Sequence, residues 1–543
     1  MSKILKYFLM ISLLAITFTY SQFAQAEKAE MIPVGSYQKS CVDIKVKKNM
    51  LKASCTTLSG SVNKTKLKNL SACLNSISQN GDIGNIDGSL ICLPDLPIVD
   101  QNFTFPKSET QINAWIYGND LSNIYKHAWG IWDGLTSPVG NVDGVPVRAF
   151  ETWNTPTNIL SQIGNLAKSS SMQSSSQSLH PAKLKLELKP PKRFNKRRFK
   201  SKKKVNTKGD GDTSIAVSVA FNPPGARHLI INKLLLESTL KRYLKEGYTE
   251  IPNYPLNTIV VKPVYKIITS KNAPNGIYTF PGWPGTPSPA KTFSEKDWGS
   301  CVYVDIKKSG PGGNSIDKGC KKQSRANTFH LNNFIHQKIN KEDAQYLTDQ
   351  LGLNELGKVE AGDYAILVGM HVTTREIKRW TWQTFWWSAN PDNPYLPSSN
   401  DIASYRPKTM GKAPRHYAMS VAYQMVSPAQ PIIGGENSGS PVIGYNPHLE
   451  AGFDPATFQI IRAINGANGP IIHEYGVQTN CMSCHNLAMY NPKTNYVVDQ
   501  GANTEKPYGT DFYMSITDEV FNNSLKLDFS WAILGNLKLN DGN

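Results

Sequence analysis

The chain has 543 residues, 40% of them hydrophobic, with 11 Trp and 23 Tyr, which excludes a disordered or low-complexity protein and leaves room for two to four domains. Its formal charge of +17 does not mark a basic fold. Residues 183–208 carry 13 Lys or Arg against one Glu, and Lys3 and Lys6 sit in the leader, so about +3 is left for everything else.

Lys3 and Lys6 precede an apolar run from Phe8 to Phe18 and the small-residue step Ala24-Gln25-Ala26. This pattern predicts a secretory signal peptide over residues 1–26. No later stretch reaches the ~20 apolar residues that a spanning helix needs. The expected location is the periplasm, the medium or the cell surface, and no nucleic-acid partner is expected there. In such an oxidising setting the eight cysteines fall into neighbouring pairs: Cys41 with Cys55, Cys73 with Cys92, Cys301 with Cys320, and Cys481 with Cys484. The first three pairs are expected as disulfides.

Residues 33–95 alternate with period two over Cys41–Val46 and again over 50–55, which predicts two half-buried strands with Lys47-Lys48-Asn49 as the turn. Three features, Gly35-Ser36-Tyr37-Gln38-Lys39-Ser40-Cys41, the fourteen-residue step to Cys55 and Gly84-Asn85-Ile86-Asp87-Gly88-Ser89-Leu90, resemble one repeat of the cyanovirin-N homology domain. That family usually carries two repeats. The resemblance implies a small all-β, disulfide-stapled, lectin-like domain for mannose-type glycans. It also implies glycan contacts at Lys39, Thr56, Thr57, Asn85 and Asp87, with Lys39 and Leu58 departing from the more polar residues common there.

Composition shifts to Trp-rich and Asn/Gly-rich near residue 98, which marks a domain boundary. Residues 126–135 predict a short amphipathic helix with Trp129 and Trp132 on one side, and His127 is expected to be solvated. Residues 140–144 predict a turn. Residues 166–212 are Ser-rich and then basic, and are expected to form a disordered insertion able to dock on an anionic surface.

Order is expected to resume over 213–540. Residues 220–224 read as an extended entry and 229–245 as one helix ended by Gly247. Residues 258–268 read as a strand that Pro263 demotes to an edge or a bulge. A strand is expected at 301–305, a helix at 341–351 capped by Asn340, and buried strands at 364–372 and 380–387. Four Trp in the last run read first as a two-sided core strand, or else as an aromatic wall beside a cofactor or a platform for sugar rings. The run Asn437-Ser438-Gly439-Ser440-Pro441 echoes a serine-protease nucleophile loop but lacks its acidic residue and its His and Asp partners, so a Gly/Ser turn is expected.

The strongest chemical signal is Cys481-Met482-Ser483-Cys484-His485. Cys-x-x-Cys-His lets two thiols form thioethers to the vinyl groups of one haem c while the imidazole reaches the iron. A thioredoxin-like pair or a zinc half-site would share the Cys-x-x-Cys. No Cys follows Cys484, however, and no early βαβ unit surrounds the motif. Residues 128–135, 151–153, 260–262, 370–376, 380–385 and 446–451, together with the motif, resemble a family of large exported bacterial cytochrome c-like proteins, mostly uncharacterised. That likeness spans most of residues 110–530 and implies a single haem.

For the second axial position the candidates are Met514, 29 residues beyond His485, and His371 at the end of an apolar strand. The expected fold is therefore multidomain: the small lectin-like β domain, then a large mixed α/β, β-rich and irregular haem c domain. The leading functional expectation is one-electron transfer with an unidentified redox partner. The alternatives are a peroxidase- or oxidase-like haem enzyme, and a carbohydrate-binding protein with a structural or sensory haem domain.

Overall fold

The computed structural model describes residues 32–33, 35–57, 60–77, 81–86, 88–93, 96–97, 99–169, 215–288, 291–351, 357–436, 438–452, 480–492 and 513–539. These form two compact units. One takes the described residues up to Ser76 together with Ile83–Cys92, and the other takes essentially all the rest.

In the first unit Cys41–Val46 and Met50–Thr56 pair as a hairpin, with Cys41 opposite Cys55, and Val62–Lys68 adds a third strand. The turn lies where the alternation breaks. Lys48 and Asn49 take φ of 51° and 58° there, the left-handed pair that a tight hairpin turn requires. Disulfides Cys41–Cys55 and Cys73–Cys92 are both formed. The unit is not all-β, because Leu70–Ile77 is a helix. Leu70 and Cys73 turn inward at helical spacing. Asn49 starts the helix by accepting the Leu70 N–H on its carbonyl and the Ser71 N–H on its side chain.

The second unit is organised on a seven-stranded antiparallel sheet. Its main order is Tyr417–Val421, Thr381–Trp387, Tyr364–Thr374, Ile259–Ile268, Ile215–Val217. His336–Lys338 pairs with Tyr364–Thr374, and Ala220–Phe221 pairs with Ile259–Ile268. Pro263 does not demote its strand to an edge. Ile259–Ile268 is central, paired on both sides, and the cost of the missing N–H is absorbed by a register shift at Val264/Tyr265. Thr381–Trp387 is buried along its whole length, the two-sided core strand that its aromatics predict.

Helix Leu121–Thr136 covers one face of this sheet. It is longer than expected and buried from His127 onward, because it lies between the sheet and the 402–414 segment. Trp132 stacks on Phe385 at 4.2 Å while donating to Pro414 O, and Trp129 donates to Ile402 O. Such a stack adds about 0.5–1.5 kcal/mol beyond the burial itself. His127 is not solvated. It is 2% exposed and held between the Tyr423 hydroxyl (2.8 Å) and Glu376 (3.2 Å).

The 140–144 turn closes a hairpin between Pro138–Val142 and Val145–Arg148. The extended entry ends at Asn222, which caps a helix over Pro223–Ile231, and a second helix follows at Glu237–Lys245. The expected single helix over 229–245 is therefore two. Lys233 at φ 51° turns the chain between them, and Asn232 closes the first by donating back to His228 O. Helix Lys341–Leu351 begins as expected, with the Asp343 N–H donating to Asn340.

A smaller sheet pairs Ile277–Pro281, Ser300–Asp305 and Asp317–Lys318, with Thr328–His330 running parallel to Ser300–Asp305. Disulfide Cys301–Cys320 staples it. Helix Pro156–Ser169 carries the chain to the start of the Ser-rich segment. The helix therefore takes in residues 166–169, where the disordered insertion is expected to start; the rest of the proposed insertion, residues 170–212, lies outside the described residues, as do the leader and Asn437. No helix among the described residues is long and apolar enough to cross a membrane.

Candidate functional site

The motif is a short helix, Cys481–Asn486. Asn480, fully buried, caps it by accepting the Ser483 N–H, and its amide donates to Val442 O (2.7 Å) and Gln424 O (2.8 Å). An Asn is required here because one side chain must accept from the helix and donate to two remote carbonyls. Cys481 and Cys484, three residues apart, occupy one side of the helix. Both are free thiols, whereas the other six cysteines are paired. The Cys481 thiol donates to Gly444 O (3.3 Å), and the Trp531 indole N–H donates to Cys484 O (3.1 Å). Burial, with Glu450 adding to it, pushes the Cys481 thiol well up and that of Cys484 up to about 12, so both are held protonated.

His485 has the features of an oriented ligand. Its Nδ1 lies 2.8 Å from Phe529 O. A carbonyl only accepts, so Nδ1 carries the proton and Nε2 keeps its lone pair. Burial pulls the imidazole down to about 3, with His371 and Lys262 adding repulsion, and the ring is neutral at ordinary pH. Trp382 packs against it with ring centres 4.1 Å apart.

The sheet supplies the next layer. Lys262, His371, Thr384 and Ser420 stand opposite one another in four successive strands and form a polar row across the face. Helix Pro447–Glu450 and its cap Asn446 lie on this row. The Asn446 amide donates to Thr384 Oγ1 and Phe385 O, while Glu450 sits 2.7 Å from His371 Nε2. Gly369 lets that cap approach, since a Cβ there would lie 2.7 Å from the Asn446 amide nitrogen. Burial lowers the Lys262 ammonium, and the Glu450 carboxylate opposes that shift.

The axial candidates are placed differently. His371 has both ring nitrogens engaged, Nδ1 with Thr384 Oγ1 at 3.0 Å and Nε2 with Glu450. Met514 is 3% exposed, belongs to the apolar cluster against which Cys484 packs, and accepts from the Asn486 amide on its backbone carbonyl (3.2 Å). The Asn446–Glu450 segment, Trp382, Phe529 and Trp531 were not assigned to the site from sequence. The likeness over 380–385 and 446–451, and the alternative reading of the Trp run as an aromatic wall beside a cofactor, pointed toward part of this set.

Two of the proposed glycan residues of the first unit, Asn85 and Thr57, already have side-chain partners. The Asn85 amide is directed inward to Ser40 Oγ (3.0 Å) and Thr56 O (2.9 Å), and Thr57 bonds to Ser61. Asp87 lies outside the described residues. At the protease-like run, Gly439 has φ 88° and Ser440–Pro441 pairs with Val426–Ser427, a turn and a short strand.

The donor set around the motif fits a covalent haem: two uncommitted thiols on one side of a helix, and a neutral imidazole whose second nitrogen is fixed. Among the described residues no three or more His, Cys, Asp or Glu converge to hold a bare metal ion. Comparisons of the chain with family models, with curated proteins and with solved structures return no match.

Proposed function

We propose that this chain is an exported c-type cytochrome that carries one haem on Cys481, Cys484 and His485 and works in one-electron transfer. The observation that carries the proposal is the division of labour among cysteines and imidazole. Six cysteines are paired, and the two that are not lie one turn apart beside an imidazole whose Nδ1–H is tied to a carbonyl. Bound there, a haem supplies a one-electron couple tuned by its axial ligands and by burial.

The chain's own residues supply the rest. Cys481 and Cys484 tether, and Phe529 O fixes the ring orientation of His485. Trp382 and Trp531 keep water from the imidazole and from the helix. The Lys262, His371 and Glu450 group lines the neighbouring face with charge. Because His371 is bound to Glu450 and Thr384, Met514 is the side chain that would join His485 in holding the group. The first unit, read as a cyanovirin-like module, would tether the cytochrome to glycan.

The purified protein is expected to show a haem c spectrum that survives acid-acetone extraction, and haem staining on a denaturing gel that Cys481→Ala with Cys484→Ala removes. A colourless protein with titratable thiols at both positions overturns the proposal. Met514→Ala is expected to open the reduced form to carbon monoxide, whereas His371→Ala leaves the reduced spectrum in place. The reverse pattern assigns the sixth position to His371.

A further inference from the structure

The second unit contains a cavity of about 290 Å³ that is separate from the motif. Trp283, Trp386 and Tyr395 give it aromatic surface, and Asn314, Asn390 and Asn393 give it carboxamides. Its one charged lining side chain is Lys318. Its walls are built in advance. Asn314 and Ser315 are held by backbone bonds to Ala326 O (2.9 and 3.1 Å), in the loop that disulfide Cys301–Cys320 closes. Trp283 donates its indole N–H to Leu396 O (2.7 Å), which fixes the segment bearing Tyr395. Gly285, at φ 104°, lets Tyr395 settle, since a Cβ there would lie 3.3 Å from the Tyr395 Cβ.

Several polar side chains of this cavity make no hydrogen bond within the protein. Among the described residues the side-chain amides of Asn314, Asn390 and Asn393 bond to nothing else; Asn314 and Asn393 are exposed and Asn390 is half-buried, and the unbonded Trp386 indole N–H lies on the cavity wall. These groups are open to solvent or to the cavity, where a ligand's hydroxyls can take the place of their water. Tyr395 is 45% exposed and offers a ring at the mouth.

We infer that this cavity binds a single pyranose ring, stacked on Tyr395 and hydrogen-bonded by Asn314, Asn390, Asn393 and the Trp386 indole. A sugar ring combines an apolar C–H face with a rim of vicinal hydroxyls. Aromatic rings meet the face, and carboxamides, each both donor and acceptor, meet the hydroxyls. A lipid chain would leave the amides unpaired. A phosphate ester would want more than one cation or a bidentate guanidinium. The volume is at the low end of ligand cavities, which run about 300–1,000 Å³, and suits one ring. This inference does not rest on the haem: the cavity is complete without it.

The test is saturation-transfer difference NMR on the intact protein with methyl α-D-mannopyranoside, methyl β-D-glucopyranoside, methyl β-D-galactopyranoside and N-acetyl-D-glucosamine as probes. At least one probe is expected to receive saturation. Tyr395→Ala, Asn390→Ala and Asn393→Ala are each expected to weaken its binding by about tenfold with the unfolding midpoint unchanged. Trp386→Phe, which keeps the ring and removes the N–H, is expected to weaken it by a smaller factor. Asn85→Ala in the first unit is expected to leave the signal intact. Silence from all four probes overturns the inference. So does binding that Tyr395→Ala, Asn390→Ala and Asn393→Ala leave unchanged, or binding that Asn85→Ala abolishes.

Discussion

Histidines show most clearly how much a residue's role depends on what the fold brings to it. His485 announces itself by two cysteines beside it. His127, expected in solvent, is buried against Glu376, which is 249 positions away in the chain, and nothing local marks that. His416 is a third case. It lies between the arginines Arg406 and Arg415 in charge terms and stacks on Trp387, and burial pulls it down to about 4. The folded state therefore holds His416 neutral while the unfolded chain, with a pKa near ~6.5, takes up a proton. The stabilisation it gives is complete above about pH 6.5 and is lost as the pH falls toward 4, by at most about 3 kcal/mol. His228, His336 and His485 lean the same way, so the measurement is a difference. The urea midpoint of His416→Phe is expected to depend less steeply on pH between 6.5 and 4 than that of the parent. Parallel profiles contradict this account.

At the scale of elements, the sequence was legible where a period was long and unbroken. The 41–46 and 50–56 hairpin, the 364–374 and 381–387 strands and the 341–351 helix stand where alternation and capping put them. The 229–245 segment failed because a turn at Lys233 sits inside an apolar pattern that reads continuously as helix. Short elements with polar partners were hardest to read. The 3₁₀ turn Glu295–Asp297 is one. Its Glu295 joins the buried Lys266 ammonium of the central strand (2.6 Å) to His448 of the Pro447–Glu450 helix (2.5 Å). Glu295→Ala leaves a buried ammonium without its carboxylate and is expected to cost about 3–5 kcal/mol in equilibrium unfolding. Replacing both partners, as Lys266→Met with Glu295→Leu, is expected to recover most of that. A single variant within 1 kcal/mol of the parent would show that the pair contributes little.

For the whole molecule, the two units differ in what holds them. The first is small, and its two disulfides close loops of 14 and 19 residues, each worth about 3 kcal/mol through the unfolded chain. The second has one disulfide and a sheet with helices over it. Reduction is therefore expected to render residues 35–92 sensitive to protease while the 259–268 and 364–387 strands stay protected. Equal resistance of both units after reduction would contradict this. The motif could be read because its five residues are contiguous. Its supports could not, since Gly444, Phe529 and the His371–Glu450 pair come from separations of 37, 44 and 79 positions.

The strand Thr381–Trp387 ties these scales together. Its even-numbered side chains serve three purposes on one face: Trp382 against His485, Thr384 in the polar row, and Trp386 in the cavity. Phe385, between them, packs on the opposite helix. A strand of this kind obeys a parity rule: adding or deleting one residue would exchange the two faces at once. The contact with His485 and the polar row would then turn to the other face together, while changes of two residues would merely shift them along the sheet. Evolution or design can retune each of the three by substitution, but it cannot change the spacing of one without carrying the other two.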